Sequence, residues 1–166
     1  MKRFIPFHLL VVLSLLGLLV PSICLSAQEI AKDGQVIAYD NGIVLDVKTG
    51  LEWYPGSDKN TNWHDAKRWI ESLTDVAGGG WRMPTRKELK TLYQRQIGEK
   101  CHINPLFKTT ACFVWTGETR GSSKAWGFDY SYSTGDIGSM YVDGSKSWEL
   151  RETSSYGQVF AVRFRR

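Results

Sequence analysis

Apolar and polar positions alternate in three short runs, Val36 to Tyr39, Ile43 to Val47 and Leu51 to Tyr54. The separators Asp40-Asn41-Gly42 and Lys48-Thr49-Gly50 are turn sequences, so the pattern predicts a small antiparallel meander closing at Pro55-Gly56. The period then lengthens. Trp63, Ala66, Trp69, Ile70 and Leu73 recur at three- and four-residue steps, with His64, Asp65, Lys67, Arg68 and Glu71 facing outward. This spacing predicts an amphipathic helix of about three turns capped by Asn62.

Gly78-Gly79-Gly80 interrupts the helical pattern and leads into Trp81-Arg82-Met83-Pro84-Thr85-Arg86-Lys87-Glu88-Leu89. Thr85 and Glu88 have the spacing of a capping box, in which hydroxyl and carboxylate each satisfy a first-turn amide, so a second helix starts at Thr85. Leu89, Leu92 and Tyr93 give it an apolar stripe, and Gly98 is the expected stop. Met83 is expected to be extended, because the ring of Pro84 excludes helical geometry before it.

After Phe113 the helical period is gone. Phe113 to Thr116, Ala125 to Tyr130, Ile137 to Val142 and Gln158 to Phe164 are candidate strands separated by Gly-, Ser- and Asp-rich turns. Trp126, Phe128 and Tyr130 alternate with Ala125, Gly127 and Asp129, which predicts one inward aromatic face. Strands, two helices and then strands give an α+β class: two helices packed on a twisted, mostly antiparallel sheet with long loops.

The start of the chain has a different character. Lys2 and Arg3 precede a twelve-residue apolar run, Leu9 to Val20, which suits an export signal and is short for a membrane span. Pro21 and Leu25-Ser26-Ala27 then offer a cleavage point before Gln28, giving a signal peptide over 1–27 and one domain over 28–166. An uncleaved anchor and lipid attachment at Cys24 are the weaker alternatives, the latter because Ile23 is bulky. Without the leader, 19 basic and 17 acidic side chains remain, a balance too near neutral for a phosphate-gripping face. Nucleic acid is therefore not an expected partner, and the location is periplasmic, secreted or at the cell surface.

Cys101 and Cys112 are the cysteines beyond the leader, and in an oxidising compartment two such thiols pair. Their spacing fits neither a redox pair nor a standard zinc pattern.

The succession Asp40-Asn41-Gly42, Thr49-Gly50-Leu51-Glu52-Trp53, Gly80-Trp81-Arg82-Met83-Pro84-Thr85 with Glu88-Leu89, Val114-Trp115-Thr116, Ala125-Trp126-Gly127-Phe128 and Ala161-Val162-Arg163 resembles the bacterial DUF1566 family, the C-terminal domain of the Legionella collagen-like adhesin. The most specific part is W-R-[LM]-P-T-x-x-E-L, and a similar R-L-P-T-x-x-E stretch occurs in formylglycine-generating enzymes. The resemblance implies an exported domain with a C-type-lectin-like fold. Trp81, Arg82, Pro84, Thr85, Glu88, Trp115, Trp126 and Arg163 are read as structural, with Arg82 expected to pair with a partly buried carboxylate.

No H-E-x-x-H, G-x-S-x-G, P-loop or dinucleotide fingerprint is present, and His64 and His102 lack metal-spaced companions. Neither catalytic residues, nor a metal, nor a cofactor is expected. Lectin-type calcium tripeptides are missing, and so is the late cysteine pair of the formylglycine-generating enzymes.

The preferred reading is a non-catalytic binding or adhesion module for a polysaccharide or envelope protein. Its expected contacts lie in the loops between Glu118 and Tyr156, at Tyr130, Tyr132, Tyr141, Trp148 and Tyr156. Because the family's adhesin is linked to sulfated glycosaminoglycans, Arg86, Lys87, Lys90 and Arg95 form a second candidate stripe, facing a sulfated polysaccharide. The alternatives are an enzyme on the same scaffold, recognisable by a pocket of converging reactive groups, and a structural subunit of an envelope assembly, recognisable by an apolar patch or open strand edge.

Overall fold

The computed structural model of the protein describes residues 26–57, 61–96, 100–120, 124–131, 148–150 and 157–165. Residues 1–25 of the expected leader, the expected strand Ile137 to Val142, and Tyr132, Tyr141 and Tyr156 lie outside the described residues.

The meander forms as the alternation predicts. Strands β2 (Val36–Tyr39), β3 (Val44–Asp46) and β4 (Leu51–Pro55) pair antiparallel, and an additional strand, β1 (Glu29–Asp33), pairs with β2. Alternation did not reveal β1, because in Glu-Ile-Ala-Lys-Asp only Ala31 is even half-buried. At the far side β4 pairs with the last strand, β8 (Phe160–Phe164), with Trp53 opposite Val162. Early and late segments thus share one five-stranded sheet, ordered β1-β2-β3-β4-β8.

Helix α1 (Trp63–Glu71) is capped by Asn62, whose side chain accepts from the Asp65 amide at 2.9 Å. Helix α2 (Arg86–Thr91) carries the complete capping box of Thr85 and Glu88. It stops well short of Gly98. Beyond Leu92 the chain is recruited into bridge pairing: Tyr93 lies opposite Ile103, and the Gln94 amide donates to the His102 carbonyl at 2.9 Å. Those extended partners outweigh a helical continuation that had only Tyr93 to bury.

Apart from β8, the later strands do not join the first sheet. β5 (Phe113–Arg120), β6 (Lys124–Asp129) and β7 (Trp148–Leu150) form a second, antiparallel sheet, so the architecture is two sheets with α1 packed against β5 and α2 against β6. β5 runs past Thr116, and its register with β6 shifts between Trp115 and Thr119. The shift bears on the expected aromatic face: Phe128 and Tyr130 are buried, while Trp126 is half-buried and Ala125 is fully enclosed. The sheets meet through Gln158, whose amide donates to the Phe113 carbonyl and whose carbonyl accepts from the Trp115 amide.

Two apolar clusters result. One sets Trp53, Phe160 and Val162 of the first sheet against Leu89, Phe107, Val114, Phe128 and Tyr130. The other sets Trp63, Ala66 and Ile70 of α1 against Trp115, Ala125, Val159 and Ala161. Fully burying side chains of this size stabilises by about 1.5–3 kcal/mol each, and two of the buried indoles keep their N–H groups bonded: Trp63 Nε1 donates to the Thr116 carbonyl and Trp115 Nε1 to the Thr61 carbonyl, whereas the enclosed Trp53 Nε1 has no partner.

Candidate functional site

The motif around Arg82 is assembled by its own sequence. Pro84 fixes the entry into α2, and Thr85 caps it, which places Glu88 beneath Arg82. Arg82 Nη1 donates to Glu88 Oε2 at 2.9 Å and Nη2 to Oε1 at 2.5 Å, a bidentate pair. The same carboxylate accepts from the Thr85 amide at 2.8 Å. Burial alone would raise the Glu88 pKa, but the hydrogen bonds from Arg82 and Thr85 and the guanidinium charge outweigh it and hold the carboxyl below its ordinary range. The bond to Glu88 correspondingly raises Arg82, against a smaller opposing effect of burial. Arg82 has its expected carboxylate, six residues along the chain.

Arg86 turns away from its neighbours. Its amide and its Nε donate to the two carboxylate oxygens of Glu118 at 2.8 and 2.7 Å, and its guanidinium carbon stands 4.1 Å from the centre of the Trp126 ring. The expected stripe of Arg86, Lys87, Lys90 and Arg95 is therefore broken, since Arg86 is committed to β5 and β6 and Arg95 lies beyond the shortened helix. Lys87 and Lys90 remain exposed, one helical turn apart.

Arg163 is the most enclosed of the motif cations, with its side chain 8% exposed. Nε donates to Glu52 Oε2 at 2.8 Å, and Nη1 donates to the carbonyls of Ala77 and Gly79 at 2.8 and 2.6 Å. Those carbonyls point at it because Ala77, Gly78, Gly79 and Gly80 all have positive φ. Trp81 covers the guanidinium, 4.1 Å from its ring centre. The glycine triplet does not end α1, which stops at Glu71; it folds into an arginine clamp, a long-range role that local sequence does not reveal.

Among the expected contact residues, Tyr130 is corrected. It is fully buried, and its hydroxyl donates to the Leu89 carbonyl at 2.7 Å, so it cannot touch a ligand from the surface. Trp148 begins β7 with its Cα opposite Trp126. Trp115 is buried, in keeping with a core role.

Cys101 and Cys112 are joined as a disulfide. The segment between them helps to line three clefts, of about 520, 310 and 190 Å³. Lys100, Lys108, Thr109 and Thr110 edge the first; Asp33, Lys48, Tyr93, Gln94 and Asn104 edge the second; Ile30, Tyr39 and Leu106 edge the third. In the second, Asn104 Nδ2 donates to Asp33 Oδ2 at 2.9 Å, and Asp46 accepts from the Lys48 amide and the Thr49 hydroxyl. Asp46 thus serves its turn, and Asp33 a contact between distant segments. Among the described residues no three His, Cys, Asp or Glu side chains converge as a metal site.

With this geometry in place, comparison with known families is informative: the family described as the Lcl C-terminal domain matches residues 42–156, well over half the chain. The chain belongs to the Lcl C-terminal domain family. Comparison with curated proteins finds no match, and comparison with solved structures finds none. The Lcl C-terminal match starts at Gly42 in the first turn of the meander and ends at Tyr156, so it takes in the whole Gly/Ser/Tyr-rich segment. Among the described residues no helix is long and apolar enough to cross a membrane.

Proposed function

We propose that the protein is an exported, adhesin-like binding module with a C-type-lectin-like fold, recognising a polysaccharide or an envelope protein and catalysing no reaction. The observation that carries this reading is the family match through Tyr156, which makes the late loops part of the domain rather than a trailing segment. The motif arginines support it. Arg82, Arg86 and Arg163 each grip a carboxylate of the same chain, so the motif serves to hold the scaffold rigid. A disulfide supports an oxidising destination.

The test is a binding screen of the oxidised protein, purified from an exporting host, against polysaccharides and envelope proteins at low and high salt. Saturable binding without turnover is the expected result; strong salt sensitivity identifies an acidic or sulfated partner, read through Lys87 and Lys90. Retention of nothing, or turnover of a sugar or peptide, overturns the reading.

A further inference from the structure

The second cleft, of about 310 Å³, lies between residues 33–35 at the end of β1 and residues 91–94 at the end of α2. Its volume is at the lower end of small-ligand sites, about 300–1,000 Å³. A single ring fits it better than a length of polymer. Asp33 in its lining is oriented without being neutralised. Although exposed, its carboxylate accepts through Oδ2 from Asn104 Nδ2 at 2.9 Å, and Asn104, 2% exposed, is itself fixed by accepting from the Leu106 amide at 3.0 Å. An aspartate in a turn ordinarily bonds backbone two or three residues on, as Asp46 does here. Asp33 is instead held by a buried amide from a distant segment, and its Oδ1 is left without a partner.

Two further groups in the same lining are uncommitted. Among the described residues, the half-buried Gln94 side chain has no hydrogen-bond partner, and the exposed Lys48 ammonium is in no ion pair. Leu92 and Phe107, both buried, complete the cleft with apolar wall. Few oriented polar groups around an apolar surface are the usual make-up of a small-molecule site.

The groups present define the ligand class. A carboxylate held in one orientation accepts from hydroxyls, and a side-chain amide pairs with another amide, donor to acceptor and acceptor to donor. The apolar wall takes a methyl group or a C–H face. Asp33 and Asp46 together outweigh Lys48 in the lining, which opposes a sulfate or carboxylate on the ligand.

We infer that this cleft binds an uncharged N-acetylated amino sugar, with its acetamido group on Gln94, the acetyl methyl against Leu92 and Phe107, ring hydroxyls on Asp33 and Lys48 donating to a rim oxygen. This rests on the binding-module reading and names for it a sugar class and a site built from residues other than those of the late loops.

The experiment titrates the oxidised, isotope-labelled protein with the methyl glycosides of N-acetylglucosamine and N-acetylgalactosamine and with chitohexaose, following amide resonances and calorimetric heat. Methyl glucoside and cellohexaose, which carry a hydroxyl in place of the acetamido group, are the comparison. At least one acetylated sugar should bind saturably and shift the Gln94 side-chain amide, and its hydroxyl counterpart should bind about tenfold more weakly or not at all. Gln94→Ala and Asp33→Ala should each weaken binding by about tenfold, and Asp33→Asn, which keeps the shape and the bond from Asn104, should weaken it severalfold. Circular dichroism and melting of each variant separate loss of the site from loss of the fold. Failure of every acetylated sugar to bind, equal binding of the hydroxyl counterparts, or binding unchanged by Gln94→Ala and Asp33→Ala overturns the inference. If another polysaccharide or an envelope protein is still retained, the binding-module reading survives that failure; if nothing is retained, both fall.

Discussion

Arg82 and Glu88 are locked by two parallel hydrogen bonds across the Pro84 entry to α2, and the same carboxylate closes the helix cap through the Thr85 amide. One side chain therefore fixes both where the helix starts and how the preceding extended segment lies on β8, where the Arg82 and Val162 backbones exchange hydrogen bonds. Because the folded Glu88 pKa is depressed, its stabilisation is complete above the ordinary carboxylate range, about 4.3, and is lost as acid carries the pH through the folded value. Unfolding free energies from urea denaturation of wild type and Glu88→Gln should differ at neutral pH by about 1 kcal/mol and converge in acid. Glu88→Ala, which also removes the cap, should cost about 2 kcal/mol.

Local chemistry in this stretch was legible from residue spacing. Asn62, Thr85 and Glu88 announced both helix starts, because a cap is decided within one turn. Tyr130 shows what spacing leaves out: alternation placed it on an aromatic strand face, but only the packing of α2 against β6 supplies the Leu89 carbonyl that takes its hydroxyl. The pairing of β4 with β8 is of the same kind, since nothing local to Trp53 specifies Val162. The stacking of Tyr54 on Trp69 was hidden too, because the helical period assigned Trp69 to the core and the meander assigned Tyr54 to a strand, with nothing to bring them together.

Arg163 joins β8, β4 and the glycine loop through a single guanidinium, so its loss leaves Glu52 and two carbonyls without their donor. Arg163→Met should destabilise by about 3 kcal/mol. Arg163→Lys should recover little of this, because an ammonium cannot hold the carboxylate and both carbonyls in one planar fork. The double variant with Glu52→Gln should cost less than the sum of the singles, which chemical denaturation of all four proteins checks as a double-mutant cycle.

Gly50 and Gly79 have nearly the same φ, +70° and +68°, but Gly79 combines it with ψ −156°, a region essentially confined to glycine, and the two have different surroundings. At Gly50 a Cβ would meet nothing within 4 Å, so Gly50→Ala should cost only the left-handed backbone penalty, about 1 kcal/mol. At Gly79 it would lie 2.2 Å from the Thr74 carbonyl oxygen. Gly79→Ala must displace that backbone and with it the carbonyl that Arg163 uses, adding about 1–3 kcal/mol. Equal losses in thermal or urea denaturation would show that the loop yields without disturbing the clamp.

The Cys101–Cys112 bond fastens the segment that borders all three clefts, and it does so beside a chain of backbone contacts: Tyr130 donates to the Cys112 carbonyl, and His102 donates to the Tyr130 carbonyl. Closing a loop with a sequence separation of 11 should stabilise by about 3 kcal/mol through the unfolded state. Replacing both cysteines by serine should therefore lower the unfolding free energy from urea denaturation by that amount, and reduction of the wild type should match it. Hydrogen exchange should then rise first at the amides of His102, Ile103 and Phe107, where the released segment meets the core, while α1 keeps its protection until global unfolding. Uniform loss of protection across both sheets would instead mean that the bridge anchors the whole fold and not this segment alone.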